Sequence, residues 1–484
     1  MQNFTFKRQL LFVVFMFLGC LVIHASDDDL ITEQVTVTLD EAGTLPDKIT
    51  SEEKYKVTNL KVIGEINGTD FRLIRDMAGS DYREQSTNGK LAILDLSEAK
   101  IVAGGEYCCH NYGTENDIIN YYTFCKCKRL ENIILPSSIT YIGGDAFESC
   151  SALTTITIPS NVTWIGGSAF LFCSSLESVV IPPSVISIGS FAFQGCSALK
   201  SISIPSSVTT LYAGIFQDCK SLKNISLPSS ITEIGDRVFQ GCSGLTSISL
   251  PFSVTKIYDR AFADCSSLTS IVIPLGVTLV GASAFQGCNA LKSVSLPSSV
   301  TTLYDSVFQN CKSLTRISLS SSISIIGNRV FYGCANLTDI IVPSSVTSIG
   351  DEVFYYCSNL ATITLPSSVA KIGDSTFEGC YALTSVYVSW KTPIVISGSV
   401  FEIDKKNCTL YVPKGTCHEY KEAGWDIFDN IVEYDATGID KVTTIDDVKE
   451  VSRYSVNGQR LEMPTKGLNI VKYNDGSVKK VVVQ

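Results

Sequence analysis

At 484 residues the chain is longer than one ordinary compact core fills. With 45% hydrophobic and 18% charged residues, it is not disordered by composition. A formal net charge of −10 without a basic stripe argues against nucleic acid, whose affinity rests on clustered Lys and Arg.

In chain order, the first element is an export signal over residues 1–25. Lys7 and Arg8 give the positive start, Leu10 to Ile23 the apolar run, and Ala25 a small residue for cleavage. A transmembrane helix fits less well, because Ser26-Asp27-Asp28-Asp29 follows at once with no basic flank. Leu18-Gly19-Cys20 would suit a lipoprotein, but Leu21, Val22 and Ile23 would then remain as an apolar stub. The expected location is secreted or on the cell surface. Contact with membrane then comes only through export or surface attachment.

From Phe124 the sequence repeats. Cys127, Cys150, Cys173 and nine further cysteines through Cys380 recur every 23 residues without an insertion. Phe precedes each by three and Leu follows each by three. The unit reads C-x-x-L-x-x-[IV]-x-[ILV]-P-x-x-[VI]-x-x-[ILV]-G-x-x-x-F-x-x, with Pro replaced at Ser320. L-x-x-I-x-L carries a period-two pair, the mark of a short strand with one face buried. Pro ends the strand because it cannot donate to a ladder. The Gly is expected to supply backbone conformations closed to other residues. The segment from Gly to Cys is a turn, a short 3₁₀ piece or a second extended edge. One unit cannot bury its own apolar side, but stacked units can, so the pattern predicts a solenoid of parallel short strands.

In such a stack each ladder Cys faces inward and acts as a small hydrophobe. Stacked side chains point the same way rather than at one another, so the ladder is expected to stay unpaired. Cys108, Cys109, Cys125, Cys408 and Cys417 lie off the ladder. Cys408 and Cys417 could clip the end of the array. In YCCHNY, His110 adjoins Cys108 and Cys109, which offers either a Cys-Cys-His metal site or simply a loop with vicinal cysteines. No cofactor or metal is expected. The mature chain has two isolated His, no nucleophile elbow and no phosphate loop, so an enzyme is not expected.

After Ala436 the register is lost. Asn457-Gly458 between alternating runs predicts a hairpin, and Leu468 to Tyr473 with Val478 to Val483 predicts a second.

The repeat resembles the BspA-type (Treponema pallidum-type) leucine-rich repeat, most strongly from Phe124 to Val388. GEINGTDF within Leu60 to Ile74, followed by Leu91 to Ser97, resembles the family's N-terminal segment of degenerate strands. Leu410-Tyr-Val-Pro-Lys-Gly-Thr with Trp425 and Phe428 resembles its closing unit. The tail is similar to β-rich sorting domains of type IX secretion, and a small stabilising β-domain is the other reading. The implied organisation is a signal at 1–25, an N-terminal cap of degenerate repeats at 26–123, and the leucine-rich repeat solenoid at 124–400. A closing unit at 401–435 and a small β-rich domain at 436–484 complete it. The resemblance implies a right-handed solenoid and adhesion to host matrix proteins or to the surface proteins of neighbouring cells.

Residues five and seven after each Cys should face solvent. Through the central coils they are mostly Ser, Thr and Asn, which offer few anchors. Bulk and charge enter at Arg316, Asp339, Ile341 and Tyr387. Tyr212, Tyr258 and Tyr304 replace the repeat Gly in alternate coils, forming either an aromatic edge for a ligand or a cover for apolar surface. The expected function is a surface interaction protein, an adhesin first. A structural spacer and a carbohydrate-binding module are the alternatives, so a protein partner is expected and a glycan is possible. Phe193 to Cys242 closely matches Phe285 to Cys334, so the array reads as extended by duplication of blocks.

Overall fold

The repeat turns its Leu, Ile, Phe and Cys into the core. The computed structural model describes residues 29–401 and 407–435, and the backbone of strands Glu450–Ser455, Arg460–Leu461, Gly467–Tyr473 and Val478–Val483. The expected signal peptide and the two tail turns at Asn457-Gly458 and Asn474–Gly476 lie outside these residues. The chain divides into two compact units, Met1–Ser184 and Val185–Gln484.

In the first unit a parallel sheet runs through Val35–Thr38, Asn59–Ile66, Ile93–Asp95, Asn132–Ile134, Thr155–Thr157 and Ser178–Val180. Register is fixed coil to coil, as in Thr155 opposite Ser178. The expectation of degenerate strands over Leu60 to Ile74 is only half right, because Gly68–Met77 is a helix. Asn67 and Asp70 form its capping box. The same Asp70 carboxylate accepts Leu45 N at 2.9 Å and Gly43 N at 2.6 Å, which ties the preceding loop to the helix start. Phe71, Ile74 and Met77 are its buried apolar side chains.

The second unit repeats the coil from Val185 onward. Its front strands pair in parallel, Ser293–Ser295 with Arg316–Ser318 in one sheet and, in the next, Asp339–Ile341, Thr362–Leu365, Ser385–Val388, Thr409–Pro413 and Asn430–Tyr434 in order. A second edge of two-residue strands, such as Lys256–Ile257 beside Leu279–Val280, lies just before the repeat Gly. The rest of each coil is turn. In the tail, Glu450–Ser455 pairs antiparallel with Arg460–Leu461 and Gly467–Tyr473, and Gly467–Tyr473 with Val478–Val483, which is the strand pairing that the two expected hairpins require.

Within each unit the phenylalanines stack face to face. Phe147 lies 5.2 Å from Phe170, and Phe285 lies 5.5 and 5.7 Å from Phe262 and Phe308. All ladder cysteines are buried thiols. Many also make a bond that the spacing did not reveal: Cys288 Sγ donates to Phe262 O at 3.2 Å and Cys311 Sγ to Phe285 O at 3.2 Å, and Cys150 and Cys173 in the first unit do the same. Cysteine thus combines the volume of a small hydrophobe with a weak donor for a carbonyl of the coil below. Burial pushes the thiols up, Cys334 and Cys380 to about 12.

Two polar ladders join the coils from outside the core. The second Ser of the turn donates to the coil below, as Ser230 Oγ does to Val208 O at 2.7 Å and Ser345 Oγ to Ile323 O at 2.6 Å. Asp and Asn of the later turn accept from the coil above: Asp305 Oδ1 from Asn328 N, Asn328 Oδ1 from Asp351 N, Asp351 Oδ1 from Asp374 N.

The expected role of the repeat Gly is corrected. Gly281, Gly327, Gly350 and Gly373 do not have positive φ. A Cβ on Gly373 would instead meet Asp351 N at 2.4 Å, so what this position requires is close approach to the coil below. The left-handed positions are the residue before each Cys and the one four residues earlier. Asp264, Gly287, Asn310 and Gly333 occupy the former, Ser283 and Arg329 the latter. The enrichment in Gly, Asp and Asn beside Cys is thus explained by φ.

Candidate functional site: the outward strand face

Alternation along each front strand decides what reaches solvent. Ser293–Ser295 and Arg316–Ser318 both read exposed, buried, exposed, with Val294 and Ile317 in the core. The outward positions of the central coils are mostly exposed hydroxyls, broken by Val180, Asn224 and Val272.

The C-terminal coils differ. Arg316 and Asp339 begin successive front strands, and Arg316 Nε lies 3.7 Å from Asp339 Oδ2 with the arginine side chain 79% exposed. An ion pair this open is worth about 0–1 kcal/mol to stability, so the two charges remain available to a partner. Ile341 is 57% exposed. Register then sets Ile341 beside Thr364, Thr364 beside Tyr387 and Tyr387 beside Tyr411. The Tyr387 and Tyr411 rings stack at 4.4 Å, 8° from parallel, and Tyr434 meets Tyr387 edge-on at 5.8 Å. Tyr434 donates its hydroxyl to Val388 O at 3.0 Å, which fixes the ring. Burial raises the Tyr387 hydroxyl, with Tyr411 adding to it. Tyr411 and Tyr434 were missed in the sequence because the closing unit leaves the 23-residue register there.

Tyr212, Tyr258 and Tyr304 make no ring contact with one another. Tyr212 and Tyr304 stand exposed, whereas Tyr258 donates its hydroxyl to Glu233 Oε2 at 3.1 Å and carries Lys256 near its ring. They are three separate rings, and the structure does not bring them together with Arg316, Asp339 and Tyr387.

A second aromatic group lies on the turns. Tyr332 stacks on Tyr355 at 4.9 Å, Tyr356 meets Tyr355 edge-on at 4.7 Å, and Tyr381, 72% exposed, follows Tyr356 at 6.2 Å. Gly379 allows this, since a Cβ there would strike the Tyr356 ring at 2.6 Å. Tyr355 donates to Glu378 Oε1 at 3.0 Å, a bond that pushes its hydroxyl up to about 12. The signal was present in the sequence, as Tyr in turn positions where earlier coils mostly carry Gln (Tyr332, Tyr355), Gly or Asp (Tyr356), and Ser or Lys (Tyr381).

The far end closes on aromatic rings. Trp390 Nε1 donates to Val369 O at 2.8 Å, Trp425 Nε1 to Ile394 O at 2.9 Å, and Phe401 packs on Phe428. Cys408 and Cys417 are both free thiols, so they form no clip.

Residues 111–222, 165–292 and 278–411 match the BspA type leucine rich repeat region, in 6 copies. The chain belongs to the BspA-type leucine-rich repeat family. Among solved structures, a leucine-rich repeat protein of Bacteroides ovatus is 32% identical, over 58% of this chain and 84% of that one, with a TM-score of 0.44. A leucine rich cell surface protein of Faecalibacterium prausnitzii is also 32% identical, over 60% and 86%, with a TM-score of 0.43. The leucine rich repeat protein of T. pallidum is 31% identical, over 38% and 78%, with a TM-score of 0.32. No curated protein matches the chain. BspA-type proteins are typically surface-associated, and leucine-rich repeats are generally scaffolds for binding proteins rather than enzymes. Among the described residues no helix is long and apolar enough to cross a membrane.

Proposed function

We infer that the chain is a secreted or cell-surface adhesin that holds another protein on the C-terminal part of its strand face. One observation carries this reading. The row Ile341, Tyr387, Tyr411, with the Arg316–Asp339 pair beside it, is the place where the hydroxyl face gains stacked rings and charge next to an exposed aliphatic side chain. Tyrosine and arginine are the usual anchors of protein interfaces. The stacked pair is already ordered, so a partner would meet it at low entropic cost. The expected partners are host matrix proteins or proteins of bacterial surfaces. Residues 1–25 would direct export, and residues 436–484 would serve either type IX sorting or local stability.

The test is saturable binding of the mature chain to immobilised matrix proteins and to bacterial surface extracts. Tyr387→Ala and Arg316→Ala should weaken it, and Ser293→Ala should not. Absence of any saturable ligand, with whole coils deletable at no loss, would favour a spacer instead. A glycan reading has one specific support, the Tyr332, Tyr355, Tyr356 and Tyr381 group beside Glu378. Competition by simple sugars that Tyr381→Ala abolishes would favour it over protein adhesion.

A further inference from the structure

The first unit holds a cluster that the repeat does not require. The antiparallel hairpin of Gly104–Cys109 and Tyr112–Thr114 brings Cys109 and His110 against Glu84 from a separate loop. Cys109 Sγ, a His110 ring nitrogen and a Glu84 carboxylate oxygen all lie within 4.8 Å of one another. His110 Nε2 is 2.9 Å from Glu84 Oε1, and Cys125 Sγ lies 3.5 Å from that same oxygen. Lys126 holds the other oxygen, Oε2, which leaves Oε1 facing the thiol and the imidazole.

The loops are fixed before any ligand arrives. His110 N donates to Tyr82 O at 2.9 Å, and Asp81 Oδ1 accepts Arg83 N and Gln85 N, both at 2.8 Å, on either side of Glu84. The His110 ring is braced edge-on by Tyr122 at 5.9 Å. Cys109 is fully buried while His110 is half exposed, so an ion could enter from solvent and end on an inward sulfur.

A second observation points to negative charge at these sulfurs. Arg75 is fully buried behind them and pairs with no carboxylate among the described residues. Its guanidinium bonds Tyr122 O, Thr123 O, Asp81 O and Ser80 Oγ, and its Nε has no partner. Its charge acts on the thiols of Cys127, Cys109, Cys125 and Cys108. A buried cation without an anion is costly. A metal-bound thiolate at Cys109 would supply that anion.

We propose that Glu84, Cys109 and His110 form a binding site for a zinc-class divalent cation, with Cys125 or water as fourth ligand. One thiolate, one imidazole and one carboxylate form a set suited to Zn²⁺, whereas Ca²⁺ and Mg²⁺ take oxygen donors. The ion would take the place of the His110–Glu84 hydrogen bond and clip the hairpin to the loop around Glu84. This revises the sequence expectation that no metal is bound.

The test titrates the full mature chain, stripped with chelator, first with Co²⁺ and then with Zn²⁺ as competitor. One equivalent of Co²⁺ should give a thiolate-to-cobalt charge-transfer band that Zn²⁺ removes. Cys109→Ser should abolish the band. His110→Ala and Glu84→Gln alter accessible or partly exposed side chains, and should keep the fold while weakening affinity at least about tenfold. His418→Ala, at the exposed His418–Glu422 pair near Cys417, should change nothing. The proposal is overturned by no stoichiometric uptake, by a band unaltered in His110→Ala and Glu84→Gln, or by mass mapping of Cys109 into a disulfide.

Discussion

The coils around Ser293 and those around Tyr387 have the same interior and different exteriors. Both stack Phe on Phe, and both send the ladder Cys to a carbonyl of the coil below. Outward, Ser293 and Ser295 offer only hydroxyls, while Tyr387 lies on Tyr411 with Tyr434 against its edge. Inward residues are held by packing and outward ones are not, so the interior reports fold and the exterior carries whatever is specific to this chain. The duplicated block from Phe193 to Cys242 makes the same point, since its copy from Phe285 to Cys334 changes buried positions only among aliphatics, as Ile202 to Val294, and exchanges polar, charged and small residues elsewhere.

The largest effect should come from breaking the shared interior. Phe285→Ala removes a ring stacked on both sides and should cost about 3–5 kcal/mol in denaturant unfolding, against under about 0.5 for Ser293→Ala. Equal losses at the two positions would refute the division between inside and outside. Tyr411→Ala sharpens the exterior contrast. It should reduce binding of the proposed protein partner by about 2 kcal/mol or more while far-UV circular dichroism stays unchanged.

The ladder thiols come next. Cys288→Ser places a hydroxyl where a thiol fills apolar space, and should cost about 1–3 kcal/mol. In the native chain at pH 8 a thiol reagent should modify the partly exposed Cys417 before any ladder position. Rapid labelling of Cys334 would show that the coils open. The smallest effect is expected on the surface. The Arg329–Glu352 pair, with Nε–Oε2 at 2.9 Å and Nη2–Oε1 at 2.8 Å, holds the Glu352 carboxyl below the usual range. A carboxyl lowered in the folded state stabilises above its unfolded pKa, and this contribution is lost as pH falls through the folded one. Glu352→Gln should therefore cost at most about 1 kcal/mol at neutral pH, and the difference from wild type should vanish under acid.

Much of the fold was legible because the coil is a translation: one position explains its equivalents above and below. Cys, Phe and Leu every 23 residues fixed the core, and Ser293, Arg316 and Asp339 faced outward as alternation required. What translation could not convey was the reason for a residue at a repeated position. Gly373 is there for room beside Asp351 and Asp264 for its φ, and neither reason is written in the spacing. Nor could it reach places where the repeat stops. The helix Gly68–Met77, the approach of Glu84 to His110 and the seating of Tyr411 on Tyr387 all depend on segments without a coil above or below to calibrate them.

The serine, asparagine and aspartate ladders have one further consequence. Each coil presents on its upper surface the acceptors that its lower surface could fill, as Val208 O receives Ser230 Oγ and Asp305 Oδ1 receives Asn328 N. Excising one whole period therefore re-forms the same seam, whereas losing a single amino acid shears every bond across it. Such a chain can lengthen or shorten by recombination in whole-coil steps, which would let a lineage change its reach without redesigning its interior.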